Sequence, residues 1–147
     1  MKIAIGADHA GYAAKEEIKK VIRALGHQFI DMGTSSDQSV DYPDYAVMVD
    51  HAVVSGEADR GVLICGTGIG MSIAANKLPG IRAAVVTDEK TADLSRRHND
   101  ANVFCAGARI TPVVKIAECL KVWLQTPFEG GRHLNRVNKI AALEKAP

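Results

Sequence analysis

Five short apolar segments alternate along the chain with longer segments of helical periodicity. The short segments cover residues 3–6, 28–31, 62–65, 83–86 and 103–106, and polar residues hardly alternate within them. Such runs are typical of strands that are buried on both faces of a parallel sheet. A helix between successive strands implies right-handed crossovers, with helices on both sheet faces. We therefore expect an α/β fold, a three-layer αβα sandwich around a five-stranded parallel sheet.

Apolar residues spaced three and four apart predict the helices between these strands. Gly26 and Gly56 are expected to end the first two helices, and Pro43 to lie at the start of the second. Thr111 is expected to cap a later helix whose first turn holds Pro112. A last, C-terminal helix has no strand after it, so its apolar stripe must pack on the body or on another subunit. That stripe consists of Leu134, Val137, Ile140 and Ala141.

Length and charge restrict the classes of partner. The 147 residues suit one domain, which we expect to span residues 1–147. Because 18 basic residues nearly balance 17 acidic ones, charge gives no reason to expect nucleic acid or a membrane surface as a partner. The longest apolar run, residues 45–49, is far shorter than the roughly 20 residues of a membrane span. The first ten residues lack the apolar core of a signal peptide.

Cysteine usage indicates a reducing compartment. The chain has three cysteines, an odd number, and they form no CxxC pair. We therefore expect a cytoplasmic protein without a disulfide framework or a cysteine zinc site. Cys105 falls within a predicted strand and Cys119 within a predicted helix, so both are expected in the core.

The strongest motif is CGTGIG at residues 65–70, between a predicted strand and a predicted helix. Its three glycines permit a tight turn in which several backbone N–H groups point to one place, so we expect an anion site. The motif is not a Walker A loop, which ends in GK[ST], and Met71 replaces the third glycine of a dinucleotide fingerprint. Met71 also occupies the position at which a cysteine phosphatase needs an arginine to hold phosphate.

The loops that follow the strands of a Rossmann-like sheet meet at one edge, where ligands bind. Cys65, at this edge, is either a nucleophile or base favoured by the helix N-terminus, or a small buried apolar residue. Asp8 and His9 either handle protons and bind phosphate, or only cap a turn and face solvent. The predicted strands place six candidate residues there: Asp8, His9, Tyr42, Cys65, Thr67 and Arg109.

Four further candidates lie outside that edge. His98 and Asn99 end the fourth predicted helix, where they suit a C-cap. This helix ends at the opposite sheet edge from Cys65, so a catalytic role for His98 needs the site of a neighbouring subunit. Arg132 and Arg136 share one face of the last helix, and their guanidinium groups either bind a phosphate or form a solvated face.

A base, a loop of N–H donors, a histidine and several arginines suit proton transfer between adjacent carbons of a sugar phosphate, which needs no cofactor. Five segments, IGADHAGY, DYPDYA, GVLICGTGIGMSIAANK, RRHNDANV and EGGRH, occur in this order. They resemble the type B ribose-5-phosphate isomerases, a family that includes galactose-6-phosphate isomerase subunits and allose-6-phosphate isomerases. The resemblance spans essentially the whole chain.

The resemblance implies a homodimer, or a dimer of dimers, with active sites shared between subunits. It implies reversible conversion of D-ribose 5-phosphate to D-ribulose 5-phosphate through a cis-enediolate, in the non-oxidative pentose phosphate pathway, without cofactor or metal. Cys65 is then the general base and Thr67 assists proton transfer, while His98, with Asp8 on the same hydroxyls, opens the furanose ring. The matched binding positions are the backbone of Gly66, Thr67, Gly68, Ile69 and Gly70 for the enediolate oxygen, Tyr42 and Asn99 for the sugar, and His9, Arg109, Arg132 and Arg136 for the phosphate.

Two other functions stay open on the sequence alone. A six-carbon sugar phosphate such as allose 6-phosphate is an alternative substrate for the same chemistry, and pocket depth decides between them. A non-catalytic module that binds a sugar phosphate or a nucleotide is the alternative of another class. A cysteine phosphatase is disfavoured by Met71.

Overall fold

A five-stranded parallel sheet forms the middle layer of the computed structural model, which describes residues 1–145. The strands are β1 (Lys2–Ala7), β2 (Gln28–Asp31), β3 (Arg60–Cys65), β4 (Ala83–Val85) and β5 (Val103–Gly107). Neighbouring strands pair in parallel in the order β2-β1-β3-β5-β4. The predicted α/β class and the positions of all five predicted strands are confirmed.

Helices cover both faces of the sheet, as the three-layer prediction requires. Within residues 1–145 the helices are α1 (Tyr12–Ala24), α2 (Tyr42–Val54), α3 (Ile69–Ala75), α4 (Glu89–Asn99), α5 (Val113–Gln125) and α6 (Arg132–Leu143). Helices α1, α4 and α5 pack on one face of the sheet, in an apolar cluster that includes Phe104 and Trp123. Helices α2 and α3 pack on the other face, around Val49, Met71 and Cys105, and α6 contacts α4.

The two edge strands differ from the prediction of full burial. The side chains of the central strands β1, β3 and β5 are buried apart from the first residues of β1 and β3. Those of β2 and β4 are half-buried or exposed. An edge strand has a neighbour on one side only, so this difference follows from the strand order.

Most predicted helix ends are confirmed. Pro43 lies in the first turn of α2, and Gly26 and Gly56 follow α1 and α2 with positive φ angles of 80° and 78°. The prediction that Thr111 caps α5 is wrong by one residue, because Pro112 occupies the cap position. The Thr111 N–H donates to the Gly107 carbonyl at 2.9 Å, so Thr111 still belongs to the turn that follows β5.

The strand order creates a crevice at one edge of the sheet. From β1 the chain passes to β2 on one side, whereas β3 lies on the other side of β1. The loops after β1 and β3 therefore diverge, and this point of divergence is where α/β sheets bind ligands. Separately, none of the helices within residues 1–145 has the length and apolar character that crossing a bilayer requires.

Asp50 buries a carboxyl group between α2 and the sheet. Its side chain is 0 % exposed, and neither carboxyl oxygen has a hydrogen-bond partner among the described residues. Burial raises the pKa of Asp50 from 3.8 to about 7. The helical periodicity of α2 indicates this burial, since Asp50 lies one turn after Ala46 on the same face and beside Val49.

We expect Asp50→Asn to remove a pH-dependent loss of stability. Between the unfolded pKa of 3.8 and the folded pKa of about 7, the folded chain holds a proton that the unfolded chain has lost. The free energy of unfolding of the wild type therefore falls as pH rises through this window. Relative to the wild type, that of Asp50→Asn rises by about 3 kcal/mol from about pH 4.5 to about pH 7.5. Chemical denaturation of both chains at one protein concentration measures this difference.

The exposed residue Asp37 provides the control for this experiment. Asp37→Asn removes a carboxylate from the surface, so we expect its stability difference from the wild type to stay nearly constant with pH. A difference between Asp50→Asn and the wild type that is equally constant contradicts a protonated carboxyl at Asp50.

Candidate active site

Cys65 ends β3 with its thiol at the start of the glycine loop. The residue is 4 % exposed, and its Sγ accepts a hydrogen bond from the Gly68 N–H at 3.1 Å. Gly68 has a φ of +79°, and a Cβ at this position would lie 2.9 Å from the carbonyl carbon of Ala106. A glycine is therefore needed to bring this N–H to the sulfur.

The other polar groups of the loop face the same edge. Thr67 is exposed, and its Oγ1 accepts a hydrogen bond from the Ile69 N–H at 3.2 Å. The Tyr42 ring, from the first turn of α2, lies against Gly70, where an added Cβ would meet the ring Cζ at 2.6 Å. The loop therefore leaves room for an aromatic ring and its hydroxyl beside the first turn of α3.

Arg109 lies over the loop from the turn that follows β5. Its N–H donates to the Gly66 carbonyl at 3.0 Å, and the Ala108 N–H donates to the Cys65 carbonyl at 2.8 Å. A Cβ at Gly66 would lie 3.6 Å from the Arg109 Nη1. These contacts hold an exposed guanidinium group above the first glycine of the loop.

Asp8 and His9 complete this edge from the end of β1. Asp8 is 6 % exposed, and its Oδ1 accepts a hydrogen bond from the Gly11 N–H at 3.0 Å. The His9 Nδ1 accepts from the Val40 N–H at 3.2 Å. An imidazole that accepts at Nδ1 carries its proton on Nε2, so His9 presents an N–H donor with its other nitrogen.

The six residues predicted at this edge therefore come together, since Ala7 pairs with Ile64 and Cys65 with Gly107. The other two cysteines lie in the core, as predicted, with Cys105 0 % and Cys119 1 % exposed. Burial raises the pKa of Cys105 far above its ordinary value. Cys105 therefore stays a neutral thiol, which leaves Cys65 as the cysteine suited to a base.

His98 and Asn99 lie far from Cys65 within one chain. They end α4, which finishes shortly before β5 begins at the ladder pair Gly61–Val103, whereas Cys65 is in the last pair of that ladder. The strand between these pairs extends about 13 Å. The structure therefore places His98 and Cys65 at opposite edges of the sheet, as the topology predicts.

The C-cap expected at His98 and Asn99 lies one residue later. Asn99 is the last helical residue, and Asp100 adopts the left-handed conformation with a φ of 45°. The Asp100 carboxylate contacts Arg96 at 2.8 Å and Arg82 at 3.2 Å. These two ion pairs hold Asp100 in the left-handed conformation that the sequence predicted for Asn99.

The imidazole of His98 stacks on that of His133, at the start of α6. The ring centroids are 4.2 Å apart and the ring planes differ by 11°. Burial, and then repulsion from His98, lower the pKa of His133. Arg132 and Arg136 lie exposed on the same helix, so α6 brings two guanidinium groups to the end of α4. No role for His133 followed from the sequence, although its position beside Arg132 in EGGRH was a signal for one.

Comparison of the sequence and comparison of the structure match this chain to the same kind of protein. The chain matches the model of the Ribose/Galactose Isomerase family over residues 3–140. It is 48% identical to ribose-5-phosphate isomerase B of Escherichia coli, over 98% of this chain and 97% of that protein. The structure of ribose-5-phosphate isomerase B from Clostridium thermocellum shares 52% identity and a TM-score of 0.97, covering 99% of this chain and 98% of that one.

A further solved structure includes a sugar phosphate. Ribose-5-phosphate isomerase B from Mycoplasma genitalium, with bound ribulose-5-phosphate, has a TM-score of 0.94 and 39% identity to this chain. The alignment covers 99% of this chain and 97% of that one. The similarity in sequence and in fold thus extends over nearly the whole length of each compared protein.

Proposed function

The chain belongs to the Ribose/Galactose Isomerase family, and on this basis we propose that it interconverts D-ribose 5-phosphate and D-ribulose 5-phosphate. It is then an aldose–ketose isomerase of the non-oxidative pentose phosphate pathway. The observation that carries the proposal is the Cys65 thiol at the ligand-binding edge, with the Gly68 N–H on its sulfur. The chemistry needs no cofactor, and a reducing cytoplasm suits an enzyme that depends on a free thiol.

Cys65 is the general base in this proposal. Its thiolate takes the proton from C2 of the open-chain aldose, and the electron pair of the broken C–H bond forms the cis-enediolate. Return of the proton to C1, with formation of a carbonyl at C2, gives the ketose. The exposed Thr67 hydroxyl beside the sulfur moves a proton between the two oxygens of the enediolate.

The backbone of the loop stabilises the charge that develops on oxygen. The N–H groups of Gly68 and Ile69 already donate to Cys65 and Thr67. The N–H groups of Gly66, Thr67 and Gly70 are then the donors that we assign to the enediolate oxygen. Removing one donor of this kind typically lowers a rate by about 10²–10³-fold.

Side chains around the loop bind the rest of the substrate. Tyr42 and the Asp8 carboxylate contact the sugar hydroxyls, and one Asp8 oxygen also caps its own turn. The Arg109 guanidinium and the His9 Nε2–H bind the phosphate, since charge-assisted donors of this kind suit a dianion.

A second copy of the chain completes the site. His98, Asn99, Arg132 and Arg136 lie at the opposite edge from Cys65, so we propose that they serve the Cys65 of a partner in a homodimer or a dimer of dimers. There His98 opens the furanose ring, Asn99 binds the sugar and the two arginines bind phosphate. The exposed apolar side chains of α6 support a partner, because Leu134, Ile140 and Leu143 remain 50%, 42% and 72% exposed.

The relative rates on five-carbon and six-carbon substrates test the proposed function. We expect kcat/KM for ribose 5-phosphate to exceed that for allose 6-phosphate, because the matched relatives are ribose-5-phosphate isomerases. Coupled assays of ketose formation from each sugar, with one enzyme preparation, measure the ratio. A large advantage for allose 6-phosphate contradicts the pentose assignment. If neither sugar is converted, the proposed isomerase activity is contradicted.

A further inference from the structure

Three metal-ligating side chains lie together outside the edge that holds Cys65. His98, Glu129 and His133 each place one ligand atom within 4.8 Å of the others. The Glu129 N–H donates to the Arg97 carbonyl at 3.1 Å, which ties the segment before α6 to the last turn of α4. This bond holds Glu129 beside the end of α4, where His98 lies.

His133 contributes a buried nitrogen with no partner. The residue is 4 % exposed, and its Nε2 has no hydrogen-bond partner among residues 1–145. This nitrogen lies 4.0 Å from the Glu129 Oε1, too far for a hydrogen bond. A buried polar atom left without a partner costs free energy, so the atom is better satisfied by a ligand between it and Glu129.

We propose that His98, Glu129 and His133 bind a zinc ion, with water at the fourth position. Two imidazole nitrogens and a carboxylate oxygen form a ligand set that suits tetrahedral zinc. Zinc bonds of about 2.0–2.1 Å hold ligand atoms roughly 3.3 Å apart. An imidazole lone pair lies in its ring plane, so one of the two stacked rings must turn out of the stack before both nitrogens reach one ion. The ligand atoms lie within 4.8 Å of one another, so rotations of these side chains are enough to form the site.

The donor atoms, and not the local charges, favour zinc over a cation such as calcium. Arg132 and Arg136 oppose a cation that is held by charge alone. Imidazole donors form coordinate bonds with zinc, whereas calcium and magnesium prefer oxygen ligands. Arg97 is paired with Asp93 at 2.8 Å, so its charge is partly neutralised near Glu129.

The site makes zinc an inhibitor. His98 is the ring-opening residue of the proposed function, so this consequence rests on that proposal. A His98 nitrogen that coordinates zinc cannot exchange a proton with the substrate, and zinc and sugar phosphate therefore compete. Zinc binding itself is measurable without any turnover, so its failure is distinguishable from failure of the proposed isomerase activity.

Calorimetric titration of the wild-type chain with zinc chloride, without sugar phosphate, tests the site. We expect one zinc ion per chain and at least about tenfold weaker binding by Glu129→Gln, which loses one of three ligands. Glu57→Gln removes an exposed glutamate elsewhere and is expected to bind like the wild type. Cys65→Ser is also expected to retain binding, because the thiol is not a ligand.

Inhibition provides the second measurement. We expect zinc to inhibit ribose 5-phosphate turnover, a chelator to restore it, and Glu129→Gln to need at least about tenfold more zinc for half-inhibition. Absence of zinc binding by the wild type, equal binding by Glu129→Gln, or loss of binding in Cys65→Ser overturns the proposal. Binding at the expected residues without inhibition overturns the regulatory consequence.

Discussion

We expect the Cys65→Ser chain to lose about 10²–10⁴-fold in kcat for the conversion of ribose 5-phosphate to ribulose 5-phosphate. Serine preserves the shape of the side chain, and its hydroxyl can still accept the Gly68 N–H hydrogen bond. A hydroxyl is nevertheless a far weaker acid than a thiol, so the variant has almost no ionised base at neutral pH. The loss is expected in kcat, because the missing interaction is proton transfer in the transition state.

Cys119→Ala is the matched control for this variant. Cys119 is a thiol buried in α5, in the cluster on the opposite face of the sheet from Cys65. Its removal is expected to leave kcat near the wild-type value and to cost some stability. Circular dichroism checks that each variant keeps its fold. Retention of wild-type kcat by folded Cys65→Ser contradicts the assignment of the base and moves it to another group, such as Asp8.

We expect an equal mixture of Cys65→Ser and His98→Asn chains to regain about a quarter of wild-type activity after subunit exchange. Each variant alone lacks one essential group in both of its sites. In a mixed dimer, one site combines the intact Cys65 of one chain with the intact His98 of the other. Random exchange makes about half of the dimers mixed, and half of their sites are then complete.

The assay of the mixture needs proof that subunits exchange. Chains with different affinity tags, recovered together after mixing, supply that proof. The control mixes two differently tagged preparations of His98→Asn. Its activity is expected to equal that of His98→Asn alone. No recovery of activity in proven mixed dimers places Cys65 and His98 in the same chain's site, against the strand register that separates them.

The central strands and the loops after them were predictable because their signals are local. A strand covered on both faces needs an unbroken apolar run, and residues 62–65 carry one whatever their neighbours are. The carboxyl-end rule for parallel sheets then places Asp8, Cys65 and Arg109 together. The exposure of β2 and β4 was not predictable in this way, because edge positions depend on pairing between distant segments.

The remaining features depend on contacts between residues distant in sequence. The stacking of His98 on His133 requires α6 to contact α4, and within residues 1–145 no strand follows α6 to define its direction. The periodicity of α2 places Asp50 on the apolar face, but its lack of a partner depends on the whole surrounding layer. The N-cap of α5 is Pro112 and not the predicted Thr111, because the Thr111 N–H is bonded to the Gly107 carbonyl in the turn after β5.

The most direct test of the central claim is the formation of ribulose 5-phosphate by the wild-type chain. The assay contains ribose 5-phosphate and a chelator, without any nucleotide, since the proposed chemistry needs only the residues of the chain. We predict sustained turnover in the presence of the chelator, with the equilibrium reached from either sugar phosphate. A chain that is folded and dimeric, but forms no ribulose 5-phosphate under these conditions, would contradict the account.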